Sequence, residues 1–467
     1  MKIKTLVAAC ALAFAGQASA LPTTATADVT LFISGSSAVQ TMIGQVAKSM
    51  MVPASLDAYF DLDAVNGNGK NYRAYFGQAS AAAMAAYPSL VSATPGVGKN
   101  ILILETAKGG SIQGVNPVAL STPVNSLAFT GCVAAGTDAA SGAPLSACSG
   151  VNTTRIPDAG ISDVEPATLE APVNLGTATA LPSSQLAALT QTPMLGVVMG
   201  IAVTNNLTNV SNLSKAQVAS LMNGAITDFN KIEPTATAGT TVVVCRRVAG
   251  SGTQAAINAS MFGNPCMSGA LTPVDHFAST LQTGVVPATG NYIVVENNSS
   301  GNVKGCLTAA QNGNVAGQAI NLSTGTIATY TGAVPAGSVV LTAGSYGIGL
   351  LGVDSGVPAT AKFVSINGTA PTVANAASGL YDTVVEATFN DRGLGFAVTA
   401  QADAYKLFQK NAGDPAILGT AGTAGAPIPG VAALSENLWV SPTFNAAAPV
   451  LRVGNFGNTC APLQVLQ

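Results

Sequence analysis

Charged side chains are scarce in this chain of 467 residues. They make up 8% of the sequence, with 18 Lys and Arg against 21 Asp and Glu. Capture of nucleic acid needs clustered cations that displace counterions, so we exclude a nucleic-acid partner. A hydrophobic content of 48% likewise excludes a largely disordered chain. Weak charge together with abundant Gly, Ala, Thr and Val favours a compact exported protein with many loops.

Histidine and metal-binding motifs are also lacking. His276 is the only histidine and the sequence has no Cys-x-x-Cys pair, so we expect no metal site and no other cofactor. Lys108 stands beside Gly-Gly-Ser without the spacing of a nucleotide-binding loop. No long apolar run follows the N-terminus; Thr192 to Val203 is too short to span a bilayer and is predicted to be a buried strand.

The N-terminus, MKIKTLVAACALAFAGQASA, is typical of a secretory signal. Lysines precede an apolar run and a small-residue site, which predicts a signal peptide over residues 1–20, cleaved after Ala20. A lipoprotein cleavage box ending at Cys10 is the alternative, but it leaves a shorter apolar run than such signals have. We therefore expect an exported protein, either periplasmic or extracellular.

Removal of the signal leaves an even number of cysteines, which in an exported chain predicts three disulfides. The shortest separation, between Cys132 and Cys148, makes that pair the favoured one, and the other pairings stay open. The six cysteines are Cys132, Cys148, Cys245, Cys266, Cys306 and Cys460.

A repeated strand, glycine turn and helix pattern predicts an α/β fold. It occurs over Val29 to Met50, over Ile101 to Leu120 and at the segment that ends with Phe262. In such folds a ligand binds where strand ends meet helix starts. A further helix is predicted within Ser211 to Ile232. Ser214 is its predicted N-cap and Gly224 its predicted stop, and surface loops are predicted for Val133 to Gly150, Ser323 to Ala336 and Thr420 to Pro429.

The segment CRRVAGSGTQAAINASMF, Cys245 to Phe262, has the residues of an anion site. Small residues at a helix start let a ligand approach backbone N–H groups and the positive end of the helix dipole. Arg247 adds a permanently charged fork of donors. The alternative is an ordinary N-capped helix that follows a strand, and the local pattern alone leaves both interpretations open.

The motifs resemble, in their order, those of the periplasmic phosphate-binding proteins of bacterial phosphate ABC transporters. ISGSSAVQ, GGSIQGV and DAGISDVEP are similar to glycine and aspartate turns of that family, and CRRVAGSGT matches its Arg-Arg-x-x-Gly-Ser-Gly-Thr signature. LSKAQVASLMNGAITDFNKI, NNSSGNVKGCLTAA and AGSYGIGLLGVD resemble later elements. The resemblance covers most of Val29 to Asp354 and implies a two-lobed periplasmic-binding-protein fold of type 2, with loop insertions and a ligand cleft between the lobes.

The resemblance also implies domain limits and binding residues. It implies a first lobe over residues 29–200, a second over 201–390, and a C-terminal segment, 391–467, that returns to the first lobe. Asp163 would accept the proton of hydrogen phosphate and repel sulfate, which has no proton to give; its alternative role is that of a loop-capping aspartate. The implied ligand-binding residues are Ser37, Ser111, Asp163, Arg247, Ser251, Gly252 and Thr253.

Two departures from the family bear on the ligand. Ala249 replaces an acidic residue usual two positions after the binding arginine, and Ser37-Ala38 replaces a pair that often carries an aromatic residue. A more positive pocket could accept another oxyanion. We therefore expect an exported, monomeric, non-enzymatic binding protein for phosphate or a related oxyanion, with an ABC transporter permease as its partner. Two alternatives stay open: a secreted or cell-surface protein without transport, and a secreted phosphatase.

Overall fold

The fold is described from a computed structural model of the chain. It describes residues 26–62, 71–176, 178–278, 292–393, 396, 398–420, 427–434 and 443–465. The predicted signal peptide lies outside the described residues.

Helices are short and lie between strands. In the described residues, α1 to α12 cover Gln40–Met50, Ala81–Ala86, Asn116–Leu120, Pro166–Leu169, Pro172–Leu175, Ser183–Ala187, Lys215–Met222, Gly252–Phe262, Ser300–Asn312, Val373–Ala377, Thr399–Ala412 and Pro415–Thr420. Short 3-10 helices cover Pro53–Ser55, Pro88–Leu90, Ser111–Gly114, Phe229–Lys231 and Val353–Ser355. No helix among the described residues has the length and apolar character needed to cross a membrane.

Strands form most of the ordered framework. Strands β1 to β25 cover Val29–Gly35, Asp57–Asp61, Tyr72–Gln78, Asn100–Thr106, Val124–Ala128, Val133–Thr137, Pro144–Cys148, Gly150–Arg155, Ala159–Ser162, Thr190–Thr204, Asn212–Leu213, Val242–Arg247, Phe277–Ala278, Tyr292–Asn297, Gln318–Asn321, Ile327–Thr329, Ser338–Val339, Tyr346–Gly352, Ala361–Phe363, Ser365–Ile366, Val384–Asp391, Val431–Leu434, Val450–Leu451, Val453–Gly454 and Gln464–Val465.

One mixed sheet of 16 strands connects the two halves of the molecule. Its main order is β13-β14-β12-β18-β10-β21-β9-β1-β4-β3-β2-β7-β6; β19 and β22 also pair with β10, and β23 pairs with β22. Strands β9, β1 and β4 are parallel to one another, as are β14, β12 and β18. We call the side containing β9, β1 and β4 the first half and the side containing β14, β12 and β18 the second half. The predicted α/β fold is confirmed.

Strands β10 and β21 pair antiparallel and join the halves. Because β10 is 15 residues long, it supplies side chains to hydrophobic cores in both halves. Leu195 and Val197 belong to the first core, together with residues of β1, α1 and α11. Ile201 and Val203 belong to the second core, which packs β12, β18, α7 and part of α8. Cores in both halves, joined by these strands, give the two-lobed arrangement; the predicted residue limits of the lobes remain predictions.

Side-chain caps stabilise the starts of several helices. Ser214 caps α7 in a reciprocal pair with Gln217, as the sequence predicts. Gly224, with a φ of 76°, directly follows the C-cap Asn223, so the predicted stop of α7 is also confirmed. Ser299 caps α9 by accepting the N–H of Asn302. The predicted buried strand over Thr192 to Val203 is confirmed as part of β10.

The predicted loop over Val133 to Gly150 is wrong. The chain forms the antiparallel hairpin β6–β7, and β7 also pairs with β2 at the sheet edge. Small residues hid the pattern, because Gly, Ala and Ser give little strand signal in a sequence. The loop over Ser323 to Ala336 includes the three-residue strand β16.

Three disulfides are present. Cys132 pairs with Cys148, which confirms the favoured pair. Cys245 pairs with Cys306 and thereby joins β12 to α9. Cys266 pairs with Cys460, which links the C-terminal segment to the turn that follows α8 in the chain.

Candidate functional site

Polar turns from both halves meet where the parallel strands end. Strand β1 leads into Ser36, β9 into Asp163 and β4 into the turn before Ser111. From the second half, β12 ends at Arg247 and leads into α8. Carboxyl ends of parallel strands are the usual position of ligands in open α/β sheets. We call Ser36, Ser111, Asp163, Arg247, Gly252 and Thr253 the central cluster.

Asp163 lies at the middle of the central cluster and is 2% exposed. Its Oδ1 accepts a hydrogen bond from the hydroxyl of Ser36, and its Oδ2 accepts one from Thr253 Oγ1 at 3.1 Å. Its backbone N–H donates to Ser111 Oγ at 3.1 Å. Burial raises the pKa of the Asp163 carboxyl, while the hydrogen bond from Ser36 and the charge of Arg247 oppose that rise. The carboxylate therefore links the two halves.

Arg247 brings a buried guanidinium, also 2% exposed, to the same place. Its Nε donates to the carbonyl oxygen of Asn297 at 3.0 Å, its Nη2 to that of Asn298 at 3.1 Å and its Nη1 to Ser300 Oγ at 3.3 Å. Burial lowers the pKa of Arg247 to about 10, and the charge of Asp163 opposes that decrease. The side chain is therefore cationic at neutral pH.

The charges of Arg247 and Asp163 interact without direct contact. The ion pairs within 4.0 Å in the described part of the chain do not include one between these two side chains. Arginine has five N–H donors, and three of those of Arg247 are used by Asn297, Asn298 and Ser300. A cation with unused donors and a separate acceptor is the arrangement that a protonated oxyanion can bridge.

Helix α8 begins against the first half of the molecule. Ser251 is its N-cap, and its Oγ accepts the N–H of Gln254 at 3.5 Å. A Cβ at Gly252 would lie 2.7 Å from Asp163 Cβ and would also collide with Ser111 Oγ. The position therefore requires glycine, because no side chain fits between the helix start and Asp163. The N-capped helix is confirmed, and the anion site at the same helix start stays a prediction.

Five of the predicted binding residues, Ser111, Asp163, Arg247, Gly252 and Thr253, meet in the central cluster. Ser251 is buried beside them as the helix cap. Ser37 does not share the contact of Ser36 with Asp163; it lines a neighbouring cavity of about 510 Å³.

Some participating residues are missed by the sequence analysis. Ser36 was not distinguished from Ser37, since both follow the same glycine and only the backbone direction decides between them. The residues that hold the Arg247 guanidinium, Asn297, Asn298 and Ser300, lie 50 or more positions away in the chain. These residues lie in the polar run NNSS, Asn297 to Ser300, which predicts the start of a helix but does not predict that the run contacts Arg247.

The neighbouring Arg246 has a different role. It donates to the carbonyl oxygen of Val274 at 2.8 Å and forms ion pairs with Glu296 and Asp275. His276 lies next to this group, with Nδ1 3.2 Å from Glu296 Oε2 and its side chain 49% exposed. Arg246 Nη1 also donates to the backbone carbonyl oxygen of Arg247 at 2.9 Å, so this polar group supports the central cluster through the Arg247 backbone.

No protein-family model and no curated protein sequence matches the chain. Among solved structures, the fold is similar to a Clostridium perfringens protein described as a phosphate ABC transporter substrate-binding protein, with bound phosphate. The identity is 12% and the TM-score 0.42, over 85% of this chain and 99% of that one. An ABC-type phosphate transport receptor from Vibrio cholerae gives 14% and 0.37, over 81% and 93%.

A phosphate-binding protein from Stenotrophomonas maltophilia is also similar, at 13% identity and a TM-score of 0.41 over 84% of this chain and 85% of that one. At these values the likeness concerns the general arrangement of the chain. We therefore base the functional proposal on the geometry of the central cluster.

Proposed function

We propose that this protein is an exported receptor that binds phosphate or a similar oxyanion in the central cluster and serves an ABC-type uptake system. The observation that carries the proposal is the burial of Arg247 and Asp163, from opposite halves, close enough to interact but without an ion pair. A buried charge is costly unless it is paired, so two such groups left apart favour a ligand between them.

The chemistry of the central cluster suits a protonated oxyanion. Arg247 supplies the fixed positive charge, and the first N–H groups of α8 supply donors at the positive end of a helix. Ser36, Ser111 and Thr253 supply hydroxyls that can turn from Asp163 toward a ligand. Asp163 accepts the proton that hydrogen phosphate carries and sulfate lacks, so we infer a preference for phosphate.

Entry of the anion requires the two halves to separate. The central cluster is almost completely buried, and contacts such as that between Ile112 N and Gly250 O, at 2.9 Å, hold the halves together beside it. Strands β10 and β21 connect the halves and are the natural hinge. Closure would then present one combined surface of both halves to a transporter permease.

Catalysis is not part of the proposal. The Ser251 hydroxyl accepts the N–H of Gln254 as a helix cap, and His276 lies beside Glu296. A nucleophilic serine would instead need a base within hydrogen-bond reach. These contacts favour the binding role over the phosphatase alternative.

The test is calorimetric titration with inorganic phosphate, after unfolding and refolding to remove bound anion. We expect one site per chain and a loss of affinity of about 100-fold in Arg247→Gln, because removing one partner of a buried charged contact costs about 2–5 kcal/mol. Arg392→Gln is the matched control, because Arg392 Nη1 donates to the carbonyl oxygens of Val118 and Pro157 outside the central cluster. It should change the affinity less than about 3-fold, with folding checked by thermal melting. Equal losses of phosphate affinity in both variants, or no phosphate binding by the folded wild type, would contradict the proposal.

A further inference from the structure

A polar cavity of about 510 Å³ lies directly beside the central cluster. Ser37, which lines it, follows the Ser36 that donates to Asp163. Ser300, on its other wall, accepts a hydrogen bond from Arg247 Nη1 at 3.3 Å. The cavity is thus adjacent to the central cluster from both halves, and a ligand held by Arg247 and Asp163 can extend into it.

The volume exceeds what one tetrahedral anion needs. Sites for small organic molecules occupy roughly 300–1,000 Å³, and this cavity lies within that range. The described residues therefore leave room for a further chemical group attached to the anion.

The lining indicates the chemistry of that further group. Eight of the fifteen lining residues are Ser, Thr, Asn or Gln, three are glycine and one is the apolar Ile327. Among the described residues of the lining there is no aromatic ring, which disfavours a base or another flat ring. Neutral hydroxyls and amides that both donate and accept are suited to a ligand's hydroxyl groups.

The charged residues of the lining already interact with protein groups. Arg73 is opposite Glu105 in the β3–β4 register, and its Nη1 is 3.7 Å from Asp138 Oδ1. Lys304 donates through Nζ to the carbonyl oxygen of Ser355. Burial raises the pKa of Asp354 to about 8, so that this carboxyl is mostly neutral at pH 7. The lining would therefore bind a second anionic group less strongly than neutral hydroxyls.

We propose that the ligand is a phosphate monoester of a short hydroxylated molecule, with its phosphate in the central cluster and its hydroxyls in the cavity. The monoester would bind as its monoanion, which still has one proton to give to Asp163. This inference rests on the proposed function and specifies its substrate class. It also gives Ser37 a role, as a contact for the hydroxylated part rather than for the phosphate.

The probes are glycerol phosphate, methyl phosphate, inorganic phosphate and glycerol, each titrated calorimetrically into the full mature protein at a pH of about 5.5, below the second pKa of phosphate monoesters near 6. We expect glycerol phosphate to bind at least about 10-fold more tightly than inorganic phosphate. Methyl phosphate should show no such gain, because its methyl group makes no hydrogen bond, and glycerol alone should give no heat.

The variant Thr41→Val with Ser355→Ala removes two hydroxyls from the lining without changing charge. This variant should lose most of the difference in affinity between glycerol phosphate and inorganic phosphate. Its affinity for inorganic phosphate should stay within about 2-fold of that of the wild type. An equal affinity of the wild type for glycerol phosphate and inorganic phosphate would overturn this inference alone, as would a variant that weakens both ligands equally. Absence of binding of every phosphate would overturn the proposed function as well.

Discussion

Asp163 is the residue on which ligand choice depends in this account. Hydroxyls of Ser36 and Thr253 donate to its two oxygens, so the carboxylate is oriented before any ligand arrives. Burial raises its pKa above the usual value for aspartate. An ionised Asp163 accepts a proton from a ligand, whereas a protonated one donates a proton to it.

This difference predicts pH-dependent sulfate binding. Because burial raises the pKa of Asp163, its carboxyl gains a proton at a higher pH than an ordinary aspartate does as the pH is lowered, and the protonated carboxyl can donate to sulfate. The sulfate affinity of the wild type should therefore rise about 10-fold or more, measured by calorimetry. Asp163→Asn should bind sulfate already at pH 8 and lose the pH dependence, because its amide donates at every pH.

Asp158→Asn is the control, since Asp158 accepts the N–H of Phe32 at 2.8 Å and an asparagine oxygen can do the same. It should retain the pH dependence of the wild type. A wild-type sulfate affinity that stays constant as the pH is lowered over the range in which the protein stays folded would contradict the role given to Asp163.

At the scale of elements, the close approach of the α8 start to the first half depends on Gly252. Gly252→Ala places a methyl group 2.7 Å from Asp163 Cβ and against Ser111 Oγ. The helix start must then move away from the first half, so the phosphate affinity should fall about 100-fold or more while the protein still folds. Titration together with a thermal melt measures both effects.

Gly305→Ala is the matched control within α9, where the nearest atom to the added Cβ, Ile327 Cδ1, lies 3.6 Å away. It should keep the phosphate affinity and melt at or slightly above the wild-type temperature, since alanine is favoured over glycine inside helices by about 1 kcal/mol. A Gly252→Ala protein that binds phosphate as the wild type does would show that the helix start takes no part in binding.

Local sequence patterns predicted individual elements and turns better than they predicted contacts between distant residues. Strong local patterns identified β1, β12 and α8, as well as the serine cap Ser214, because apolar strands and capping residues act over a few positions. The β6–β7 hairpin was missed, because its pairing with β2 is a tertiary contact between small residues. The contacts of Arg247 with Asn298 and Ser300 depend on the spacing of β12 and β14 in the sheet, which no local pattern contains.

At the scale of the whole molecule, several buried carboxyls make stability depend on pH. Burial raises the pKa of Glu105 to about 7, which the charge of Arg73 opposes, and raises that of Asp354 to about 8. The folded protein therefore keeps protons that the unfolded chain loses near pH 4, so stability is greatest in acid and declines as the pH rises toward 8.

We expect the melting temperature, measured by calorimetry at constant ionic strength, to fall between pH 5 and pH 8. Glu105→Gln, which is neutral at every pH, should show a smaller fall than the wild type. A melting temperature that rises over this range would mean that these carboxyls are ionised in the folded protein.

The most direct measurement of the central claim is a crystal structure of the protein grown with phosphate. The account predicts phosphate density between the two halves, within hydrogen-bond distance of both the Arg247 guanidinium and the Asp163 carboxylate, with the first N–H groups of α8 directed at it. Phosphate bound elsewhere, with Arg247 and Asp163 still buried and making only their contacts to protein groups, would contradict it.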